Sequence, residues 1–271
     1  MELSIKKELV AWAQLENLDV KIGQKKILSD INLNLNFGEN ILILGPNGSG
    51  KTTLLKLLSR SIYPIISSSS SFKLFNNENI NIWDIRKKIG FLFKDMEKRV
   101  NEGVKLKDLI ISGFSGTYNS RYKNLLSNEE IDKVRNLINE LDISDIINHD
   151  FNSLSEGQKR RGMIARALVY EPKLLVLDEP FSNLDIKSNM ILSNTLVKLI
   201  NKSVNIIYVT HSLESIIPNT NRVILIKNGK IINDGNPNQL INSTIISDLF
   251  NIKINVIKQD NYWRSVPLKT K

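Results

Sequence analysis

A nine-residue segment has the residue types and spacing of a phosphate-binding loop. It follows an apolar run at 41–44 and precedes another at 54–58, so a buried strand and a helix should flank it. Glycines let successive backbone N–H groups point at one anion, and the N-terminus of the helix adds a partial positive charge. The segment consists of Gly45, Pro46, Asn47, Gly48, Ser49, Gly50, Lys51, Thr52 and Thr53.

Two side chains give this loop a specific chemistry. The Lys51 ammonium can reach the β- and γ-phosphates of a nucleotide, and the Thr52 hydroxyl can bind Mg²⁺. A glycine-rich turn without a ligand is the alternative, but it explains neither side chain. The loop therefore predicts a nucleotide site that uses Mg²⁺.

Further candidates stand at the ends of predicted strands. Asp178 and Glu179 follow the apolar run at 174–177, and His211 follows a strand-like run at 205–210. Ligands of open α/β sheets bind at this edge, where Asp178 can hold Mg²⁺ through water and Glu179 can deprotonate an attacking water. His211 is predicted to contact the γ-phosphate from the same edge. The alternatives are acids that simply end a strand and a structural histidine.

Ser155 and Gly157 begin a predicted helix with a buried face at 163, 164, 167 and 168. Ser155 is a candidate N-cap, and the Ser155 hydroxyl and the Gly157 amide could also bind an anion. From these residues alone, a plain capped helix explains the pattern equally well.

The order of predicted elements indicates an α/β fold. Alternating residues at 15–22 and 31–37 predict an antiparallel N-terminal sheet, whereas continuous apolar strands separated by helices predict a parallel sheet. Helical periodicity between 94 and 150 predicts a helical insertion. We interpret the five serines at 67–71 as an exposed hairpin turn and not as a domain boundary.

Composition excludes several classes of protein. The chain has 271 residues, is 41% hydrophobic and has no cysteine, so it can bury a sizeable core but cannot form disulfides or use a thiol in catalysis. No apolar run approaches the roughly 20 residues that cross a bilayer, so we expect an intracellular protein. The net charge of +9 comes from scattered lysines without a recognition motif, so we expect no specific nucleic-acid partner.

These motifs together resemble the ATP-binding cassette (ABC) ATPases. The run Leu-Ser-Glu-Gly-Gln at 154–158 is similar to the family's signature motif, 182–185 resembles its D-loop, and His211 resembles its switch histidine. The resemblance implies one P-loop NTPase domain over 1–271 with a RecA-like, mostly parallel core. It divides this domain into an N-terminal sheet with the phosphate loop (14–93), a helical subdomain (94–153), a part with the signature, acidic strand and switch (154–241), and a C-terminal tail of unknown role (242–271).

The resemblance also implies how such a protein works. It implies a head-to-tail dimer, homomeric or with another ABC ATPase, in which Ser155 and Gly157 of one subunit close over the ATP and Mg²⁺ bound at Lys51 of the other. Glu179 would be the general base and His211 the sensor of the γ-phosphate. The helical subdomain would dock on a separate membrane permease, which would hold this cytoplasmic protein at the inner face of the cell membrane.

Two positions depart from the family pattern. Ile22 stands where the family has an aromatic residue that stacks on adenine, and Lys94 stands where it has a glutamine that links Mg²⁺ to the permease. A charged lysine cannot ligate a metal. The segment 104–114, together with 160–161 and 165–167, is similar to a stand-alone branch related to molybdate-type cassettes that also lacks this glutamine. A second hypothesis is therefore a soluble ABC-type ATPase without a permease, acting as a regulatory or assembly factor.

Other classes of nucleotide-binding protein fit less well. The run Asn-Lys-Ser-Val at 201–204 lacks the aspartate of the guanine-recognising N-K-x-D motif, and neither a GTPase nor a small-molecule kinase explains the signature. A DNA-repair cassette would need a long coiled coil, for which the helical block is too short.

Overall fold

A three-stranded antiparallel sheet lies near the N-terminus of the computed structural model, which describes residues 10–118 and 126–268. Its strands are β1 (Ala11–Ile22), β2 (Lys25–Asn36) and β4 (Ser71–Leu74), in the order β2-β1-β4. Over 31–35 of β2 the isoleucine and leucine side chains are buried while the asparagines between them are exposed, as the alternation predicts.

The serines at 67–71 correct one prediction. They form an exposed turn that ends at Ser71, the first residue of β4, but that turn does not connect two paired strands. Ile65 pairs with Asp19 and Ser71 pairs with Glu16, so the chain runs along β1 in one direction on both sides of the serines. The predicted hairpin is wrong because the serine segment loops out of one edge of the sheet without reversing the chain.

A six-stranded sheet forms the centre of the molecule. Its six strands are β3 (Ile41–Leu44), β5 (Ile89–Leu92), β6 (Leu174–Asp178), β7 (Asn205–Thr210), β8 (Arg222–Lys227) and β9 (Lys230–Gly235), in the order β5-β6-β7-β3-β8-β9. In this order, the first five strands (β5, β6, β7, β3 and β8) are parallel to one another, and β9 pairs antiparallel with β8. The predicted parallel sheet is confirmed.

Helices cover this sheet, and the strands contribute to two separate cores. Alternate residues of β3 and β7 face opposite sides, so Leu42 and Tyr208 belong to one core while Ile43 and Val209 belong to the other. The helices are α1 (Lys51–Leu58), α2 (Ile82–Lys88), α3 (Leu106–Ile111), α4 (Asn128–Glu140), α5 (Glu156–Ala167), α6 (Ile186–Asn201), α7 (Pro237–Leu240) and α8 (Ser243–Phe250).

The segment between β5 and α5 is helical, as predicted. It contains α3, α4 and short 3₁₀ helices at Glu97–Arg99, Ser144–Ile146 and Phe151–Ser153, while 119–125 lies outside the described residues. The buried side chains of α3 and α4 join the same core as those of α5. This region is therefore packed against the sheet domain through α5.

The C-terminal part also packs against the core. After α8 the chain forms a hairpin of β10 (Ile254–Gln259) and β11 (Tyr262–Pro267). Trp263 of β11 is buried in the core that includes α5 and α6. No role for this region could be predicted from the sequence.

One turn joins both sheets to the phosphate loop. The N–H of Gly229, between β8 and β9, donates a hydrogen bond to the Ser49 carbonyl at 2.9 Å, and its own carbonyl accepts one from the Ser29 N–H at 2.9 Å. Gly229 has φ 75°, and a Cβ atom there would lie 2.2 Å from the carbonyl oxygen of Ile27. Only glycine fits this position without a shift of β2.

We expect Gly229→Ala to lower the free energy of unfolding by about 1–2 kcal/mol for the left-handed backbone and by about 1–3 kcal/mol more for the clash. Gly23→Ala is the matched control, because Gly23 has φ 59° but no atom within 4 Å of its hypothetical Cβ. Gly23→Ala should lose only the free energy that the left-handed backbone costs. Chemical denaturation measures both variants, and equal losses would contradict the proposed close contact.

Candidate functional site

A cleft of about 460 Å³ opens at the carboxyl edge of the central sheet. Asp178 pairs with Val209 and Leu44 pairs with Thr210, so the loops after β3, β6 and β7 leave the sheet at the same edge. The structure thus brings together predicted residues from three distant segments. The cleft is lined by Lys25, Ile27, Asn47, Gly48, Gly50, Lys51, Thr52, Thr53, Lys94, Asp178, Glu179 and His211.

The phosphate loop has a backbone that its glycines make possible. Gly48 and Gly50 have φ values of 78° and 106°, and a Cβ atom on Gly45 would lie 2.1 Å from the Ile226 carbonyl oxygen. The buried Ser49 hydroxyl has no hydrogen-bond partner within 10–118 and 126–268. An unpaired buried hydroxyl costs free energy, and an anion that accepted a hydrogen bond from Ser49 would remove this cost. The loop thus has a donor available for an anion.

Lys51 is folded back onto its own loop. Its Nζ donates hydrogen bonds to the carbonyl oxygens of Gly45 at 2.8 Å and Pro46 at 3.0 Å. Burial lowers the pKa of Lys51, and the nearby carboxylates of Glu179 and Asp178 oppose that shift. A polyphosphate in the cleft would add negative charge beside this buried ammonium and so favour its charged form.

Thr52 and Asp178 form the oxygen-rich part of the cleft. The Thr52 hydroxyl donates a hydrogen bond of 2.9 Å to Oδ1 of Asp178. Burial is the main cause that raises the pKa of Asp178. Within the described ranges no three His, Cys, Asp or Glu residues form a metal cluster. Mg²⁺ usually binds to one or two protein oxygens together with water and substrate phosphates, and Thr52 and Asp178 offer such oxygens.

Glu179 and His211 form a second pair in the cleft. Nδ1 of His211 lies 2.8 Å from Oε1 of Glu179, and the His211 side chain is 47% exposed. Glu179 has φ 51°, and its N–H donates to the Val209 carbonyl at 3.1 Å. A half-exposed imidazole on a cleft carboxylate is poorly explained as a core histidine.

Ser155 and Gly157 lie elsewhere. Ser155 caps α5: its hydroxyl accepts from the Gln158 N–H at 3.3 Å, and its own N–H donates to Gln158 Oε1 at 2.9 Å. Gly157 packs against α6, where a Cβ atom would lie 2.8 Å from Ser188. Both residues line a separate cavity of about 210 Å³ that shares no lining residue with the phosphate cleft. One chain therefore does not bring them to Lys51.

Three residues show where prediction from the sequence was incomplete. Lys25 and Ile27, at the start of β2, line the cleft although no motif includes them. Ile22, at the position expected to face adenine, is half-exposed and does not line it. The turn at 23–24 was recognisable, and it carries the start of β2 back towards the loop.

Lys94 does line the cleft, as the resemblance suggested for this position. Together with Lys25 and Lys51 it gives the cleft three ammonium groups against the carboxylates of Asp178 and Glu179. This net positive charge favours a polyphosphate. Lys94 would meet phosphate oxygens and could not replace a neutral amide as a metal ligand.

Comparison with known proteins identifies relatives of the chain. Residues 28–182 match a family model described as ABC transporter. The protein YmeB of Lactococcus lactis subsp. lactis, described as an uncharacterized ABC transporter ATP-binding protein, is 30% identical over 259 residues, which cover 93% of this chain and 97% of YmeB.

Solved structures agree with this match. The structure of cbiO1 from Clostridium perfringens, described as part of the ABC transporter complex cbiONQ, has a TM-score of 0.73 and 27% identity and covers 88% of this chain and 93% of its own. A dimeric post-hydrolysis structure of the ATP-binding cassette MJ0796 bound to ADP and Pi has a TM-score of 0.66 and 25% identity, with coverages of 83% and 98%. The predicted fold class is confirmed.

Asp178 allows a test of the cleft's electrostatics. Because burial raises the pKa of Asp178, its ionised form disfavours folding at neutral pH, and this cost disappears as the pH falls through the raised pKa. We expect Asp178→Asn to stabilise the nucleotide-free protein by about 1 kcal/mol, or about 2–4 °C in melting temperature. The same variant should lose most of the additional stabilisation that ATP with Mg²⁺ gives over ATP with a chelator.

Thermal unfolding under the three conditions measures both effects. Asp145→Asn is the control, because Asp145 is exposed in the helical segment and should change neither result. This account of the site would be contradicted if Asp178→Asn were less stable than the unaltered chain without nucleotide. It would also be contradicted if Mg²⁺ stabilised the variant with ATP as much as it stabilises the unaltered chain.

Proposed function

The chain belongs to the ABC transporter family as an ATP-binding and ATP-hydrolysing subunit, and from this premise we propose that Lys51, Thr52, Asp178, Glu179 and His211 carry the hydrolysis. The observation that supports this assignment is their convergence in one cleft, with the Thr52–Asp178 pair at 2.9 Å and the Glu179–His211 pair at 2.8 Å. The loop of Gly45, Pro46, Asn47, Gly48, Ser49, Gly50 and Thr53 surrounds the phosphates through its backbone.

Lys51 and the loop bind the triphosphate. The buried Lys51 ammonium exchanges its two carbonyl partners for β- and γ-phosphate oxygens, and the Ser49 hydroxyl gains the acceptor that it lacks within the described chain. Thr52 and Asp178 would hold Mg²⁺, and the bound ion would neutralise part of the phosphate charge. No protein nucleophile is needed, because phosphoryl transfer depends mainly on positioning and electrostatics.

Glu179 activates the water. Its carboxylate accepts a proton while the water oxygen bonds to the γ-phosphorus, and the bond from that phosphorus to the β–γ bridging oxygen breaks, which leaves ADP and phosphate. His211 holds Glu179 through Nδ1 and presents the rest of its half-exposed ring to the γ-phosphate. When that phosphate leaves, His211 loses its contact with it and keeps the one with Glu179.

Hydrolysis depends on a second subunit. Ser155 and Gly157 lie in a cavity separate from the phosphate cleft, so each chain carries two half-sites. In a head-to-tail dimer, a homodimer or a heterodimer with another ABC ATPase, the start of α5 in one subunit covers the triphosphate of the other, with the N-terminus of this helix towards the anion. The dimeric structure of MJ0796 bound to ADP and Pi supports this arrangement.

The dimer works with a membrane permease. No helix within residues 10–118 and 126–268 has the length and apolar character to cross a membrane. The relation to cbiO1, which is part of a transporter complex, supports a separate permease chain that docks on the helical subdomain and holds the dimer at the inner, cytoplasmic face of the cell membrane. This partner is favoured over a permease-free regulatory role because the matched relatives are described as transporter components.

Glu179→Gln tests the proposal. Loss of the general base should lower ATP turnover by a factor of about 10²–10⁴. Binding should persist, since the phosphate loop is unchanged, so ATP with Mg²⁺ should trap the variant as a dimer. Turnover assays and light scattering after gel filtration measure the two effects.

Glu102→Gln is the control, since Glu102 is exposed outside the cleft. It should keep the turnover and oligomeric state of the unaltered chain. Full turnover in Glu179→Gln would refute the assignment of the base. A monomer without activity in both forms would instead indicate that a different ABC ATPase subunit is required.

A further inference from the structure

The C-terminal hairpin contacts the segment that follows His211. The 3₁₀ helix Leu213–Ser215 begins two residues after this histidine and lies against β11. Oε1 of Glu214 accepts hydrogen bonds from the N–H and the hydroxyl of Ser265, both at 2.8 Å. Its other oxygen, Oε2, accepts one from the Ser212 hydroxyl at 2.6 Å. One carboxylate thus links β11 to the residue next to His211.

These three hydrogen bonds stabilise the ionised carboxylate. Burial acts to raise the pKa of Glu214, but the hydrogen bonds from Ser212 and Ser265 outweigh it and hold this pKa below its usual value. Hydrogen bonds to a charged acceptor are stronger than those between neutral groups. The link is therefore stronger than a surface contact between two neutral side chains.

The hairpin is itself firmly attached. Trp263, next to Arg264 and Ser265 on β11, is 8% exposed and belongs to the main core. The N–H groups of Val256 and Ile254 on β10 donate to the hydroxyls of Ser243 and Ser247 on α8, both at 2.9 Å. Ser265 therefore holds Glu214 from a rigid support.

The His211 ring needs such support. Its side chain is 47% exposed, and the hydrogen bond that the structure gives its ring is the one to Glu179. The ring direction therefore depends strongly on the backbone at 210–212. That backbone is fixed on one side by β7, where the Ser212 N–H donates to the Thr210 hydroxyl at 3.1 Å. On the other side it is fixed through the Ser212 hydroxyl.

We propose that Glu214 and Ser265 are positioning residues that hold the His211 ring beside Glu179, so that the C-terminal hairpin supports ATP hydrolysis. This inference rests on the proposed role of His211. It assigns a task to a part of the chain that lies beyond the family match, which ends at residue 182. Neither residue contacts the cleft, so their effect on turnover passes through Ser212 and the His211 backbone.

The two histidines of the chain allow a direct test. In the full-length protein without nucleotide, the imidazole NMR signal of His211 reports the position of its ring, and the signal of His149 is an internal reference. Glu214→Gln should shift the His211 signal and leave that of His149 unchanged, because the single amide oxygen cannot accept from Ser212 and Ser265 at the same time as the two carboxylate oxygens do. Ser265→Ala should give a smaller shift, since the backbone N–H remains.

Steady-state kinetics measure the consequence. We expect kcat to fall about tenfold in Glu214→Gln and less in Ser265→Ala, with KM for ATP unchanged within a factor of about two, because the change affects orientation and not binding. Ser265→Thr keeps a hydroxyl and should keep kcat. Ser243→Ala is the control: it removes two hydrogen bonds to the same hairpin, from the Val256 N–H and to Asn255 Oδ1, away from Glu214, and should leave the His211 signal and kcat unchanged.

His211→Ala separates this inference from the proposed function. If His211→Ala retains full turnover, the proposed role of His211 is wrong and the inference fails with it. If His211→Ala loses turnover while Glu214→Gln and Ser265→Ala keep the wild-type His211 signal and kcat, only the positioning role is wrong. Equal losses in Ser265→Ala and Ser243→Ala would also overturn it, since they would reflect a general loosening of the hairpin.

Discussion

The parallel pairing of β3, β6 and β7 is the constraint on which the site depends. Because these strands run in the same direction and in register, the residues that follow them emerge at one edge of the sheet. Lys51, Glu179 and His211 are far apart in sequence and become neighbours only through this pairing. Every strand residue of β3 and β6 is buried, so apolar packing on both faces fixes the edge that carries the chemistry.

The polar groups of the cleft are incompletely satisfied in the chain by itself. The Ser49 hydroxyl has no partner among the described residues, burial lowers the pKa of Lys51, and burial raises that of Asp178. Each of these conditions costs free energy in the nucleotide-free protein. A bound phosphate or metal ion would relieve each of them. Such a site is less stable than it could be because its groups are arranged for a ligand.

The sequence predicts what is local and leaves out what depends on distant contacts. The phosphate loop, the acids after β6 and the histidine after β7 each stand in a recognisable strand or turn, so their common edge could be deduced. Lys25 and Ile27 could not, because their place in the cleft depends on how the β1–β2 hairpin lies over the loop. The serine loop at 67–71 was misassigned for a similar reason, since pairing with β1 continues on both sides of it.

Glu214 shows the same limit most clearly. In the sequence it is a single acid three residues after His211, and Ser265 lies 51 residues further on. The packing of Trp263 into the core and the hydrogen bonds from β10 to α8 bring the two together. On the proposed assignment the nucleotide site extends beyond its motifs: the motifs would supply the groups that touch the substrate, whereas hydrogen bonds from distant elements would decide how rigidly those groups are held. Both apply to the half-exposed His211: its own ring lies in the cleft, and hydrogen bonds of the neighbouring Ser212 connect its backbone to β7 and, through Glu214, to β11.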